Sequence, residues 1–217
     1  MERKMRHFKQ QLPDPLFHPL DNLRGYDVIL ASGSPRRREL LAMLNVDFRV
    51  DTSHSVDETV PEGLPVEEVA PYLSRLKATA YPLTEGDGKL VITADTVVII
   101  NGKVLGKPVD EADARSMLME LQGRTQKVIT GVTVRTAEDM TTFSAESEVE
   151  FAPLTEEEIA YYVDRYRPFD KAGAYGIQEW IGAAGIKGIN GSFYNVMGLP
   201  VQRLYSLLKT IGHRCQA

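Results

Sequence analysis

Three arginines stand together where a strand is predicted to give way to a helix. The stretch VILASGSPRRRELLAML (28–44) begins with apolar residues typical of a buried strand, passes through a Gly/Ser turn, and restarts at a proline as a helix with Ser34 as its N-cap. Arg36, Arg37 and Arg38 fall in the first helical turn, where the dipole and unpaired N–H groups favour anions. Arg37 also shares a stripe with leucines and should point inward. A solvated basic turn is the alternative, but the pattern favours a phosphate site that includes Ser34, Arg36 and Arg37.

One aspartate interrupts a second apolar stretch. Residues 91–100 are typical of a buried strand, Asn101 and Gly102 predict a hairpin turn, and residues 103–105 return as the partner strand. Asp95 lies on an apolar face of this strand, so its carboxylate should be partly withdrawn from water. A lone buried carboxylate costs several kcal/mol unless a charged or hydrogen-bonding group meets it. This favours a metal ion or a reacting water beside Asp95 over a purely structural role.

Two lysines and an acidic loop complete the set of charged candidates. Lys77 lies beside the apolar stripe of a helix predicted over 65–80, and Lys107 sits in a Gly-Lys-Pro turn after the hairpin. The loop before that helix carries Asp57 and Glu58. Each of these residues taken alone is more often exposed to solvent. Together with the arginines and Asp95, they make a set suited to metal-assisted hydrolysis of a phosphate ester.

Composition and missing motifs restrict the class of protein. A formal net charge of -5 argues against general nucleic-acid binding, so the local arginine cluster suggests a small anionic ligand. The sequence has no GxxxxGK[ST] loop, no HExxH and no paired CxxC, and its histidines are scattered. Any metal must therefore be bound mainly by oxygen, which suits magnesium or manganese rather than zinc.

The sequence also favours a cytoplasmic location. The single cysteine, Cys215, cannot form an internal disulfide, and a reduced thiol is the simplest interpretation. The basic N-terminal segment lacks the apolar core of a signal peptide, and no later run approaches a membrane span of about 20 apolar residues. We expect a cytoplasmic protein that binds neither membrane nor nucleic acid, with its oligomeric state open and a homodimer among the alternatives.

The order of predicted elements indicates an α/β protein with a mixed sheet. Asp110 and Thr155 are predicted N-caps of two further helices, and a last helix begins at Pro200. Hairpin-linked strands exclude an all-parallel sheet. The glycine-rich stretch 173–198 is predicted to form loops that approach a ligand. We divide the chain into an N-terminal extension, a domain and a tail, with bounds 1–25, 26–212 and 213–217.

Seven short motifs occur together along the chain. They are ASGSPRRREL, VDE, the LK at 76 and 77, ADTVV, GKP, DKAGAYGIQ and GSFYNVMGLP. In this order they resemble the Maf family of nucleotide pyrophosphatases, over residues 27 to about 211. The resemblance implies a nucleoside triphosphate pyrophosphatase that uses a divalent cation and releases the monophosphate and pyrophosphate. It also implies a fold akin to that of inosine triphosphatases, with two lobes around a deep cleft.

The same resemblance implies catalytic and phosphate-binding roles. Asp95 falls on the proposed general base, and Glu58 falls on an acidic position near the metal, which Asp95 would share. The family's cationic phosphate contacts fall on Arg37, Lys77 and Lys107.

The residues implied in base recognition match the resembled family at three positions, but the sequence that follows them departs from the family pattern. The specificity positions fall on Arg36, Thr96 and Gln178, and the YGIQ form resembles the branch that acts on dTTP and UTP. A glutamine amide offers a donor and an acceptor side by side, as the edge of uracil or thymine requires. The pattern of that branch continues with Gly-x-Gly, whereas this chain has Glu179 and Trp180. The indole could stack on a base or lie in the core.

The sequence leaves open two alternatives to the hydrolysis of pyrimidine nucleoside triphosphates. The first is the same chemistry on a purine or 7-methylguanosine triphosphate. The second is a nucleotide-sensing interaction protein, in keeping with the association of the resembled family with septum formation and growth arrest. Such a protein would bind nucleotide without releasing pyrophosphate.

Overall fold

The computed structural model describes residues 18–212, in which seven strands form one mixed sheet. The strands are β1 (Asp27–Leu30), β2 (Arg49–Val50), β3 (Lys89–Ile100), β4 (Lys103–Leu105), β5 (Thr125–Arg135), β6 (Met140–Phe151) and β7 (Ile186–Asn190). The helices are α1 (Pro35–Ala42), α2 (Val69–Ala80), α3 (Glu111–Leu121), α4 (Glu156–Tyr166), α5 (Trp180–Gly185), α6 (Phe193–Met197) and α7 (Val201–Leu208). Three single 3-10 turns accompany them, at Asp21–Leu23, Val66–Glu68 and Ala172–Ala174.

Strand β3 is the centre of the sheet, which runs in the order β2-β1-β3-β5-β6-β7. One edge of β3 pairs antiparallel with β5 from Val91 to Ile99. The other edge is shared, because β1 pairs with it in parallel as far as Ile92, and β4 pairs antiparallel from Val98 onward. Among the described strands, none pairs with that edge between Ile92 and Val98. The sheet therefore has a gap beside the middle of its longest strand.

Alternation along β3 divides one face of the sheet into two hydrophobic clusters. Leu90, Ile92 and Ala94 belong to a cluster that includes side chains of α1 and α7. Val98 and Ile100 belong to another, built with α3, α4 and α5. These clusters form the two lobes expected around a cleft, and the gap in the sheet lies where they meet.

Helix α2 covers the opposite face of the sheet. It comes so close to β5 that a Cβ added to Gly131 would lie 2.3 Å from Pro71 N and 2.4 Å from the Ala70 carbonyl carbon. Thr93 of β3 donates to the Ser74 carbonyl of α2 at 2.6 Å. The absence of a side chain at Gly131 thus allows α2 to lie on the strands, in the position that brings its last turn to Asp95.

Most of the predicted helix starts are confirmed. The side chains of Ser34, Asp110 and Thr155 each accept a hydrogen bond from a backbone N–H in the first turn, and Thr155 forms the complete capping box with Glu158. The hairpin at Asn101 is confirmed as well, with both turn residues at positive φ.

The loop prediction for the glycine-rich stretch 173–198 is wrong in part. This stretch contains α5, β7 and α6. Some of its glycines serve packing, since a Cβ at Gly182 would lie 1.8 Å from the Ile177 carbonyl oxygen, and one at Gly185 would lie 3.2 Å from Leu154. The many glycines of this stretch therefore allow close packing as well as turns.

The described part of the N-terminal extension packs onto the domain. Leu20 and Leu23 are buried in the cluster that contains α7, and the Asn22 amide donates to the Leu208 and Ile211 carbonyls at the end of that helix. Most of the extension, residues 1–17, and the tail 213–217 with its cysteine lie outside the described residues. Within residues 18–212, the helices are all too short or too polar to cross a membrane.

Candidate active site

A cavity of about 630 Å³ opens at the gap in the sheet, between the two lobes. It is lined by residues from both clusters, from the loop that follows β2, and from the turns around the 3-10 segment Ala172–Ala174. Nine of the candidate site residues named from the sequence lie on its wall. These residues are Ser34, Arg36, Arg37, Glu58, Lys77, Asp95, Thr96, Lys107 and Gln178.

Arg37 points into this cavity from the first turn of α1, as predicted. Its guanidinium donates to the Gly198 carbonyl at 2.9 Å, to Thr96 Oγ1 at 3.0 Å and to Ser32 Oγ at 3.4 Å. Within residues 18–212 all its direct partners are neutral oxygens, and no carboxylate forms an ion pair with it. Burial lowers the pKa of the Arg37 guanidinium, and the attraction of Asp95 opposes this only in part. The group is therefore suited to receive an anion.

Arg36 lines the cavity but already has an acidic partner. Its guanidinium lies 2.7 Å from Asp170 Oδ2, and four-fifths of the side chain is buried. The same carboxylate accepts from Lys171 through its other oxygen, at 2.8 Å. Although partial burial raises the pKa of Asp170, the hydrogen bonds from Lys171 and Arg36 more than compensate and hold it at about 2. The positive charge of Arg36 is accordingly offset by a partner that the sequence analysis did not include.

Lys77 joins the two carboxylates that were assigned to the metal. Its ammonium lies 2.5 Å from Asp95 Oδ1 and 2.9 Å from Glu58 Oε2. The sequence placed this lysine with the phosphates, whereas its direct partners in the structure are acidic. Asp57, the neighbour of Glu58, instead bonds to Thr59 and is not part of the cavity wall.

The carboxylate oxygens around Lys77 supply part of the ligand set that a hard divalent cation needs. Two carboxylates, Asp95 and Glu58, converge on one point, and magnesium is commonly held by one or two carboxylates together with phosphate oxygens of a substrate. No group of three or more His, Cys, Asp or Glu residues suited to a metal occurs in the part of the chain that the structure describes. This arrangement matches a cation that enters with a phosphorylated ligand better than one bound by protein alone.

Two candidate side chains are free to meet a ligand. Lys107 and Gln178 are both exposed on the cavity wall, and within residues 18–212 neither side chain has a hydrogen-bond or ion-pair partner. Thr96 differs, because its hydroxyl is engaged by Arg37 and by Thr130 Oγ1 at 2.9 Å. It lies between the two lobes and fixes the direction of the Arg37 guanidinium.

Trp180 does not lie on the cavity wall. Its indole packs edge to face with Tyr161 of α4 at 5.1 Å and joins the second cluster. Of the two interpretations left open by the sequence, the packing role is the one that the structure supports.

Several polar residues of the wall were not among the sequence candidates, including Asp51, His54, Asp170 and Lys171. Asp51 is fixed by hydrogen bonds from Ser53, Tyr81 and Arg49, which hold its pKa well below the usual range, and it anchors the loop that leads to Glu58. A signal for Asp170 and Lys171 was present, since these adjacent opposite charges open the motif DKAGAYGIQ immediately before the predicted ligand loop.

Comparison with known proteins gives relatives over most of the chain. A dTTP/UTP pyrophosphatase of Phocaeicola vulgatus is 53% identical over 192 residues, which is 88% of this chain and 100% of the relative. A dTTP/UTP pyrophosphatase of Bacteroides thetaiotaomicron is 54% identical over the same shares. Another, from Porphyromonas gingivalis, is 52% identical over 196 residues, covering 89% of this chain and 98% of that protein.

The fold has a counterpart among solved structures. The Ham1 protein of Staphylococcus aureus aligns with a TM-score of 0.50 at 16% identity, covering 84% of this chain and 98% of the other. This likeness confirms the expected α/β fold with a mixed sheet. At the level of sequence, the family model for Maf-like proteins matches residues 27–211. This match spans all seven motifs and every element of the cavity wall, and with the relatives above it shows that the chain belongs to the Maf family.

Proposed function

We propose that this protein hydrolyses dTTP and UTP to the nucleoside monophosphate and pyrophosphate. The observation that carries the proposal is that two groups meet in one cavity. One is Arg37, whose direct partners within residues 18–212 are all neutral, and the other is the Asp95 carboxylate, which pairs with Lys77. Arg37 is suited to bind a phosphate, and Asp95 is suited to accept a proton. The names of the relatives, dTTP/UTP pyrophosphatases at 52–54% identity, supply the substrate class.

In the proposed reaction a water molecule attacks the α-phosphorus. The bond from that phosphorus to the oxygen bridging to the β-phosphorus breaks, and pyrophosphate leaves with the bond's electron pair. Asp95 accepts the proton of the water through Oδ2, since Lys77 contacts Oδ1. Arg37, Lys77 and Lys107 stabilise the charge that develops on the departing pyrophosphate.

A divalent cation, magnesium or manganese, is the proposed cofactor. Asp95 and Glu58 would hold it, since their carboxylates converge on one point beside the cavity. When bound, it would neutralise phosphate charge and polarise the phosphorus for attack. Lys77 offsets the charge of both carboxylates and would shift towards the phosphates when a ligand enters.

Base selection is proposed for Gln178, whose amide is exposed on the wall and unpartnered within residues 18–212. The amide offers an acceptor and a donor to the adjacent N3–H and O4 of uracil or thymine. Arg36 and Thr96 are the other proposed specificity positions. We further propose that residues 26–212 form the catalytic domain, that the enzyme acts on free nucleotides in the cytoplasm, and that it forms a homodimer, which light scattering would test.

The test is pyrophosphate release from a panel of canonical and modified nucleoside triphosphates, with and without Mg²⁺ or Mn²⁺. We expect metal-dependent release from dTTP and UTP by the wild type, and a loss of at least about a hundredfold in Asp95→Asn with nucleotide binding retained. Asp164→Asn, which removes a carboxylate from an exposed ion pair with Arg115, serves as the matched control and should keep full activity. Binding of nucleotides with no release across the panel would instead favour a nucleotide sensor.

A further inference from the structure

A chain of alternating charges connects α1 with the turn that carries Gln178. Arg36 pairs with Asp170 at 2.7 Å, Asp170 with Lys171 at 2.8 Å, and Lys171 with Glu179 Oε1 at 3.1 Å. The second carboxylate oxygen of Glu179 accepts from the Tyr162 hydroxyl. These ion pairs therefore run from one proposed specificity residue, Arg36, to the sequence neighbour of another, Gln178.

The inner half of this chain is shielded from solvent. The Lys171 and Glu179 side chains are only 9% and 19% exposed, while Tyr162 is fully buried. Burial, followed by the neighbouring Glu179 carboxylate, raises the pKa of Tyr162, so the phenol stays protonated and donates. A buried ion pair contributes little net stability, because desolvation cancels much of its attraction. The main effect of this ion pair is therefore expected to be on the position of the backbone that it contacts.

The backbone it holds is the turn 176–179. The Tyr162 hydroxyl accepts a hydrogen bond from Gly176 N at 2.9 Å, and Glu179 N donates to the Gly176 carbonyl at 3.0 Å, which closes the turn. Gly176 lies directly against the ion pair, since a Cβ there would be 2.7 Å from Glu179 Cδ and 3.0 Å from Lys171 Cε. On the other side, Gly182 lies against the Ile177 carbonyl.

Gln178 is thus an exposed residue on a turn that is fixed from two sides. We propose, on the basis of the function proposed above, that Glu179 is a positioning residue for base selection. With Lys171 and Tyr162 it sets the turn that presents the Gln178 amide, and through Asp170 it links that amide to Arg36. Glu179 does not line the cavity, so its loss should change which base is accepted rather than how fast a bound nucleotide is cleaved.

The test compares four proteins: wild type, Glu179→Gln, Gln178→Ala and the double variant. Glu179→Gln preserves the side-chain volume and an oxygen for Tyr162, but removes the charge opposite Lys171. The measured quantity is the ratio of kcat/KM for dTTP and UTP to kcat/KM for purine triphosphates. Dissociation constants for the same nucleotides, measured with each variant combined with Asp95→Asn, give that ratio without turnover. Glu146→Gln, in the exposed pair with Lys127, is the matched control.

We expect Glu179→Gln to lower the pyrimidine preference about tenfold, mainly through KM for dTTP and UTP, and to change it less than twofold once Gln178 is alanine. An unchanged preference in Glu179→Gln, or an equal effect in both backgrounds, would overturn the inference. If Glu179→Gln does not fold, Tyr162→Phe replaces it with the same expected results.

The proposed function can fail separately. If the wild type binds dTTP and UTP but releases no pyrophosphate, the hydrolase assignment falls, and the dissociation constants still decide the role of Glu179. If it neither binds nor cleaves nucleotides, both proposals are wrong.

Discussion

Lys77 Nζ lies 2.5 Å from Asp95 Oδ1, although the two residues belong to different elements, α2 and β3, and are 18 positions apart. The contact depends on the close approach of α2 to the sheet, and it brings Glu58 in as a third member at 2.9 Å. One ammonium thus offsets two carboxylates at the cavity wall. The balance of charge there, rather than any single residue, determines how strongly a cation or a phosphate is attracted.

Lys77→Met should strengthen the binding of Mn²⁺ to the nucleotide-free protein by about tenfold, because it removes a positive charge a few Å from both carboxylates. Turnover should fall in the same variant, since the lysine is also a proposed phosphate contact. Titration calorimetry or the electron paramagnetic resonance signal of free Mn²⁺ measures the affinity. Lys107→Met removes a cation from the same wall and is the control, since Lys107 pairs with no carboxylate among residues 18–212. Equal or weaker Mn²⁺ binding in Lys77→Met would contradict this interpretation.

Arg37→Ala should raise KM for the triphosphate about tenfold or more, because the guanidinium is a forked donor whose direct partners in the described part of the chain are all neutral. Its neighbour Arg38→Ala is the matched control: the same turn loses the same charge, but from an exposed side chain outside the cavity wall. Steady-state kinetics on both variants test the prediction. Similar losses in the two would mean that general positive charge, not the inward arginine, attracts the nucleotide.

Gly131→Ala should destabilise the protein by about 1–3 kcal/mol, since the added methyl group would overlap backbone atoms of α2 at 2.3–2.5 Å. Activity should fall as well, because α2 carries Lys77. Gly188→Ala places a methyl group in β7 with no described atom within 4 Å, and its effect should stay within about 0.5 kcal/mol. Urea unfolding of both variants gives the comparison, and equal stabilities would refute it.

Asp170→Asn should cost about 0.5–1 kcal/mol of folding free energy near neutral pH, a modest value because the carboxylate is 55% exposed. The folded-state pKa of Asp170, about 2, is below its usual value of 3.8. Its contribution is therefore complete above about pH 4 and is lost as the pH falls towards 2. The stability difference between wild type and variant, measured by unfolding at several pH values, should be constant from pH 7 to 5 and shrink below 4. A difference that grows on acidification would have the wrong sign.

The sequence predicts the site better where chemistry and local structure coincide. Arg37 could be placed because the N-cap, the proline and the leucine stripe together fix which way it points. Asp95 could be placed because an acidic residue on an apolar strand face requires a partner. In both cases a local pattern determines the direction of the side chain.

What the sequence does not reveal is which charges meet. Lys77 meets Asp95 and Glu58, which are 18 and 19 positions away, and Arg36 meets Asp170, which is 134 positions away. Nothing in the local pattern of either helix predicts these partners. Glu179 was noticed only as a departure from a motif, because its role depends on Lys171 and Tyr162 across a turn. The short elements of 180–197 escaped prediction because their glycines satisfy contacts with distant backbone rather than a local periodicity.

The gap beside β3 has one further consequence. An unpaired stretch of strand is a template on which another polypeptide can add as a strand, which is a route to aggregation. Here that stretch lies inside a cavity whose wall carries Arg37 and Lys107, neither of which forms an ion pair within residues 18–212, and it is bounded at each end by paired strands. A peptide backbone offers no negative charge to offset these cations, whereas a triphosphate does. The same arrangement that would admit the nucleotide therefore protects the centre of the sheet from unwanted strand addition.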